Sequence, residues 1–243
     1  MNLEQQILDI IDYLDSSDLG RVAIGVDKLD GLLHQLLPSI KQYHQQQQND
    51  VIDKFIRLQD NFQYNMAGYL LNYYRIQQDA KQTIKCNQCL QGLLLLHKQS
   101  RKLFNRKSNL QLIVSTLKNG QDIDVIISTI TTIIHILLKD LQNFRNFEDL
   151  LGCSIIIKYL NFDKMIEQVK DVKDQKLNFK IIEFLIFYLI DESNMVGLGP
   201  TKSIQEKSNL FKQEFPEIDQ LIHSLRELNH EVKFNLIKSG NIS

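Results

Sequence analysis

A run of apolar residues at helical spacing dominates the middle of the chain. Ile123, Ile126, Ile127, Ile130, Ile133, Ile134, Leu137 and Leu138 recur so that they fall on one side of a helix, a stripe wide enough to face a core. Residues 143–152 then hold a short amphipathic turn with Phe144, Phe147, Leu150 and Leu151 inward. Gly152 is expected to break it by taking up left-handed geometry, and a second apolar helix over 153–159 starts at once. Long helix, short helix and another helix in tight succession build helical-repeat stacks. The β-branched runs 125–127 and 154–157 would suit strands by composition, but their period and flanks are helical. Three prolines and ten glycines in 243 residues are too few for the turns of a sandwich or a doubly wound sheet. The expectation is an all-α single domain over 1–243, an armadillo/HEAT-like stack of helices.

The N-terminal part reads as a helical hairpin. Leu3, Ile7, Leu8, Ile10, Ile11 and Leu14 form one face, and Ser16, Ser17 and Asp18 stop the helix and offer cap oxygens for the next. Val22, Val26, Leu29, Leu32, Leu33 and Leu36 continue on the second helix, which Pro38 is expected to close. Residues 42–50, with the glutamine run 45–48, read as a solvated loop. A long helix is expected over 51–76, its aromatic residues at core spacing rather than as a base-stacking platform.

Charge and composition exclude several function classes. With 28 basic against 29 acidic residues the net charge is -1, and a phosphate-tracking surface is basic, so no nucleic-acid partner is expected. The apolar run 184–190 is far shorter than the ~20 residues of a membrane span. The start has no basic segment followed by an apolar one, which argues against secretion. Three cysteines without an export signal point to a reducing compartment and no disulfide framework.

Cys86 and Cys89 have the spacing of a metal or redox pair. A metal needs two more ligands, and a redox pair needs a strand-to-helix context; neither is present, and buried structural thiols are expected. A cysteine phosphatase pairs its thiolate with an arginine six positions on. Here those positions are Gly92, Leu95 and Tyr159, so that reading fails. Histidines 34, 44, 97, 135, 223 and 230 are scattered; His135 reads as a hydrogen-bonded structural residue, and no phosphate-binding glycine loop accompanies them. No cofactor is expected.

After a charged linker over 161–174, residues 177–190 are apolar nearly all round, which predicts a helix sandwiched between neighbours. Residues 191–203 read as a mobile loop, with Ser193, Thr201 and Ser203 as candidate phosphorylation sites. Residues 204–211 and 218–236 read as the last two amphipathic helices, Pro216 opening the final one.

Three blocks carry a resemblance. Gln91-Gly-Leu-Leu-Leu-Leu-His-Lys-Gln-Ser-Arg-Lys-Leu-Phe-Asn-Arg106, then Asn143-Phe-Arg-Asn-Phe-Glu148 with Gly152, then Glu183-Phe-Leu-Ile-Phe-Tyr-Leu189, resemble in order the signature blocks of the fungal cell division control protein 14 family. That family is the septation initiation network component, not the phosphatase of the same name. The N-terminal helices and Glu206-Lys207 also fit; the glutamine loop and the segment after Glu192 depart from it. The resemblance implies a non-catalytic subunit that binds a germinal-centre-kinase group serine/threonine kinase and supports signalling to cytokinesis and septum formation, in the cytoplasm and at spindle poles. Two other readings stand beside it: an armadillo-like adaptor for a peptide segment, and an enzyme whose site is assembled from isolated residues. The polar members of the blocks, Arg101, Arg106, Arg145 and Glu148, are the expected kinase contacts, exposed at helix ends. Arg145 and Glu148, three apart, are also placed to pair with each other as a surface ion pair.

Overall fold

The computed structural model describes residues 2–46, 48–76, 79–160, 172–190, 192 and 200–224, and these are helical with no strand among them. The helices are α1 (Leu3–Leu14), α2 (Leu19–Gln46), α3 (Asp50–Asp60), α4 (Met66–Leu70), α5 (Ala80–Leu96), α6 (Lys107–Asn119), α7 (Ile123–Leu137), α8 (Leu141–Asp149), α9 (Gly152–Ile157), α10 (Val172–Tyr188) and α11 (Ile204–Asn209). Three 3-10 turns, Phe62–Tyr64, Tyr73–Arg75 and Lys98–Asn105, lie between them, and residues 218–224 are helical again. Each of α1, α2, α5, α7 and α10 packs on the next. They form one layer of an all-α stack, as the periodicity predicts, while α6, α8 and α9 pack together behind α7.

Local chemistry sets where the helices begin. Asn49, Asp79, Asp122 and Asp140 each accept a backbone N–H of the following helix's first turn, satisfying donors that a helix start leaves unpaired. α1 buries Ile7, Ile10, Ile11 and Leu14 against α2. A β-carbon on Gly25 would stand 3.0 Å from Leu14 and Tyr13, so the close approach of the hairpin's two helices favours glycine there.

Four expectations are corrected. Pro38 does not close α2, which runs on to Gln46 and takes up much of the expected loop 42–50. Ile40 and Tyr43, beyond the proline, pack against the core, and that burial offsets the lost helix bond. The long helix expected over 51–76 is broken at Asn61 and Asn65, whose side chains accept from the backbones of Gln63 and Gly68; such local bonds compete with the helix. Gly152 is not the left-handed residue. That is Leu151, with φ 57, while Gly152 opens α9 and is required because an added β-carbon would meet the Phe147 ring at 2.1 Å. Finally, α10 is not sandwiched, since Val172, Phe179 and Ile186 are exposed on its outer face.

The expected linker lies outside the described residues over 161–171, as does the end of the last expected helix over 225–236. Most of the expected mobile loop, Ser193 included, is outside them too. Within it Glu192 is completely buried, and Ser203 is engaged as the cap of α11 in a reciprocal box with Glu206. No described helix is long and apolar enough to cross a membrane.

Candidate functional site

The block 91–106 builds one wall of a groove. α5 ends at Leu96 and the chain tightens into the Lys98–Asn105 turn, which packs against α3, α4 and α6. Between these elements lies a cleft of about 740 Å³ whose lining includes Asp60, Phe62, Asn65, Tyr69, His97, Ser100, Lys102 and Arg106.

Its floor is a closed hydrogen-bond chain. His97, 4 % exposed, has Nε2 at 2.9 Å from Asp60 and Nδ1 at 2.8 Å from the Ser100 hydroxyl. In the neutral ring Nε2–H donates to the carboxylate and Nδ1 accepts from Ser100. Asn65 donates to Ser100 Oγ at 2.9 Å and to the Gln59 carbonyl, and Gln59 in turn donates to the Tyr64 carbonyl and accepts from the Met66 amide. Asp, His and Ser have the composition of a nucleophilic triad. Here, however, the serine is 2 % exposed, and besides donating to His97 its oxygen accepts from Asn65, so the hydroxyl is held inside the hydrogen-bond chain rather than presented to a substrate. The chain fastens the Lys98–Asn105 turn to α3 and α4.

The rim is different in kind. Phe62 is 85 % exposed, the most exposed large apolar residue described. Lys102 and Arg106 line the same cleft, both exposed. An apolar anchor and two cations in one cleft are suited to holding a protein surface that carries an apolar side chain beside carboxylates.

The second block builds a buried ionic cluster. Phe144, Phe147, Phe184 and Tyr188 stack together, and Arg145 and Glu148 project from the same helix toward Glu192. Arg145 reaches Glu192 at 2.5 Å and Glu148 at 3.2 Å. Lys207, with no exposed side chain, bonds Glu192 at 2.9 Å and donates to the carbonyls of Tyr188 and Ile190 at the end of α10. Glu148 accepts from the Tyr188 hydroxyl at 2.6 Å and from Lys202. Burial lowers the pKa of Lys207 and Glu192 opposes it; burial raises that of Tyr188, with Cys153 and Glu148 adding to it. The cluster ties Glu192, Lys202 and Lys207 onto α8 and α10.

The four expected contact residues therefore separate. Arg101 is 6 % exposed and donates to the carbonyls of Leu94 and Leu138, linking the end of α5 to the end of α7. Arg145 and Glu148 belong to the buried cluster. Arg106 alone is on an open surface. Sequence reasoning missed Phe62 because a phenylalanine at helical spacing reads as core. The asparagines that flank it, Asn61 and Asn65, were the available sign of broken helix.

The thiols are buried. Cys86 and Cys89 are enclosed in α5, and burial pushes Cys89 up to about 12. Cys153 is pushed to about 12 by burial as well. Among the described residues no three His, Cys, Asp or Glu side chains come together as a metal set. His135 bonds the Thr131 carbonyl at 2.8 Å, the structural role expected of it.

A family model decides the chain's kinship. The model for cell division control protein 14, SIN component, matches residues 3–199. The chain belongs to this family. The matched residues include the groove and, of the buried cluster, Arg145, Glu148, Tyr188 and Glu192, whereas Lys202, Glu206 and Lys207 fall beyond them. The family is the septation initiation network component rather than the phosphatase, which gives this cell division control protein 14 family member a place in septation signalling. No curated protein and no solved structure matches the chain.

Proposed function

We propose that this chain is a non-catalytic subunit that binds a germinal-centre-kinase group serine/threonine kinase and supports its signalling in septation initiation, acting in the cytoplasm and at spindle poles. The observation that carries the reading is the groove rim: Phe62, 85 % exposed, lines one cleft with Lys102 and Arg106, all within the residues the family model matches. Arg106 is the contact among the four sequence candidates. Arg101, Arg145 and Glu148 act behind the surface by holding its helices in place. The buried, doubly bonded Ser100 supports a binding role for the groove over a hydrolytic one.

Co-purification tests this. The tagged chain, expressed in its own cell, is expected to bring down a kinase of that group in stoichiometric amount, and Ser100→Ala to leave that association unchanged. Recovery of the chain without any kinase would contradict the reading. Capture by an isolated kinase tail but not by the folded kinase domain would favour the peptide-adaptor reading.

A further inference from the structure

The outer face of α10 carries an apolar line that no described element covers. Val172 is 61 % exposed, Phe179 67 %, Ile186 47 % and Ile190 40 %, while the opposite side of the helix buries Leu177, Ile181, Phe184, Leu185 and Tyr188. Steps of seven residues keep Val172, Phe179 and Ile186 within ~40° of one another around the helix, and Ile190 lies just past its end. α10 also ends the layer that runs from α1 through α7. A helical stack ordinarily finishes on a polar outer face, so this end is built to be covered.

We propose that it is covered by the same face of a second copy, the two α10 helices packing antiparallel across a two-fold axis near Phe179. The pattern is its own complement. The axis brings Val172 against Ile186 of the partner subunit and Phe179 against Phe179 of the partner subunit. Two charged residues, Lys176 and Glu183, share the face and are exposed, one on each side of the axis. Antiparallel packing sets each Lys176 beside the partner's Glu183, whereas parallel packing would put the two copies' Lys176 and Glu183 on opposite flanks of the seam and form no such pair. Glu183 holds Lys180 of its own helix at 2.7 Å and is still 58 % exposed, which leaves an oxygen for the second cation. An isologous contact of this kind closes on itself as a dimer, with apolar positions at heptad steps and charges flanking them as in a coiled-coil seam.

Sedimentation equilibrium of the full chain over a concentration series tests the proposal. The wild type is expected to approach twice its 28.4 kDa mass. Phe179→Glu should weaken the dimer by about 100-fold or more, since it sets two carboxylates together on the axis. Lys176→Glu and Glu183→Lys should each weaken it about tenfold. The double variant, Lys176→Glu with Glu183→Lys, should restore it by re-forming pairs of opposite sign. Because these two positions are exposed, they report on association even if Phe179→Glu does not fold. A 28.4 kDa species at every concentration, a dimer indifferent to the single reversals, or no recovery in the double variant would each overturn the proposal. A monomer that loses a different protein on Phe179→Glu would likewise overturn it and assign the face to that protein.

Discussion

Arg145 and Glu192, 47 residues apart in the chain, meet at 2.5 Å with the Glu192 side chain wholly inside the protein. An arginine read as a surface contact is thereby the counter-ion of the buried Glu192. Replacing one partner of a buried pair leaves the other charge uncompensated.

Arg145→Met is therefore expected to cost about 3 kcal/mol of stability, at the low end for a buried pair because Lys207 still holds Glu192. Arg145→Glu should cost more. Urea unfolding measures both. A loss below ~1 kcal/mol, the range of an exposed pair, would show that Arg145 is solvated after all.

Leu151 and Gly152 give predictions of opposite sign. Leu151 is left-handed and 67 % exposed, so Leu151→Gly should remove strain and raise stability by about 0.5–1 kcal/mol. Gly152→Ala should lower it by about 1–3 kcal/mol, because the Phe147 ring it would strike is packed against Phe184 and Tyr188 and cannot move aside. Thermal melts of the two variants should shift in opposite directions.

This pair also marks where the sequence was legible. The apolar period placed α1, α7 and α8 correctly and α10 in part, because those stripes are what a stack buries; Leu151, expected inward beside Leu150, is instead 67 % exposed past the end of α8. The break at 151–152 was visible too. Its cause was not, since a glycine required by a ring five residues earlier looks in sequence like a glycine required by its own dihedral angles. The site was harder. Charge at a helix end reads as exposure, yet Arg101 has its guanidinium bonded to two helix-terminal carbonyls and Glu148 lies under Lys202, contacts made by distant residues. Phe62 erred the other way, as an apolar residue turned outward by the asparagine caps on either side.

The thiols give a pH prediction. Burial raises Cys89 and Cys153 from 9.0 to about 12, so the folded protein favours the protonated thiol more than the unfolded chain does. Their contribution to stability is complete below pH 9 and is lost as pH climbs toward 12. At pH 8 a thiol reagent should find all three cysteines only as the protein unfolds, reaction tracking the urea transition. Rapid labelling without denaturant would contradict this burial. Cys86→Ser and Cys89→Ser should each cost about 1 kcal/mol while leaving partner binding intact.

The groove rim carries the functional account, and calorimetric titration of the purified chain with the domain of its co-purifying kinase tests it most directly. Phe62→Ala is expected to weaken binding by about 1.5–3 kcal/mol, the worth of burying that ring, or roughly ten- to hundredfold in Kd. Arg106→Glu should weaken it further and make the residual affinity less dependent on salt, with melting temperatures of both variants near the wild type because both side chains are exposed. Wild-type affinity in the folded Phe62→Ala, Arg106→Glu double variant would remove the groove from the kinase interface and contradict the account.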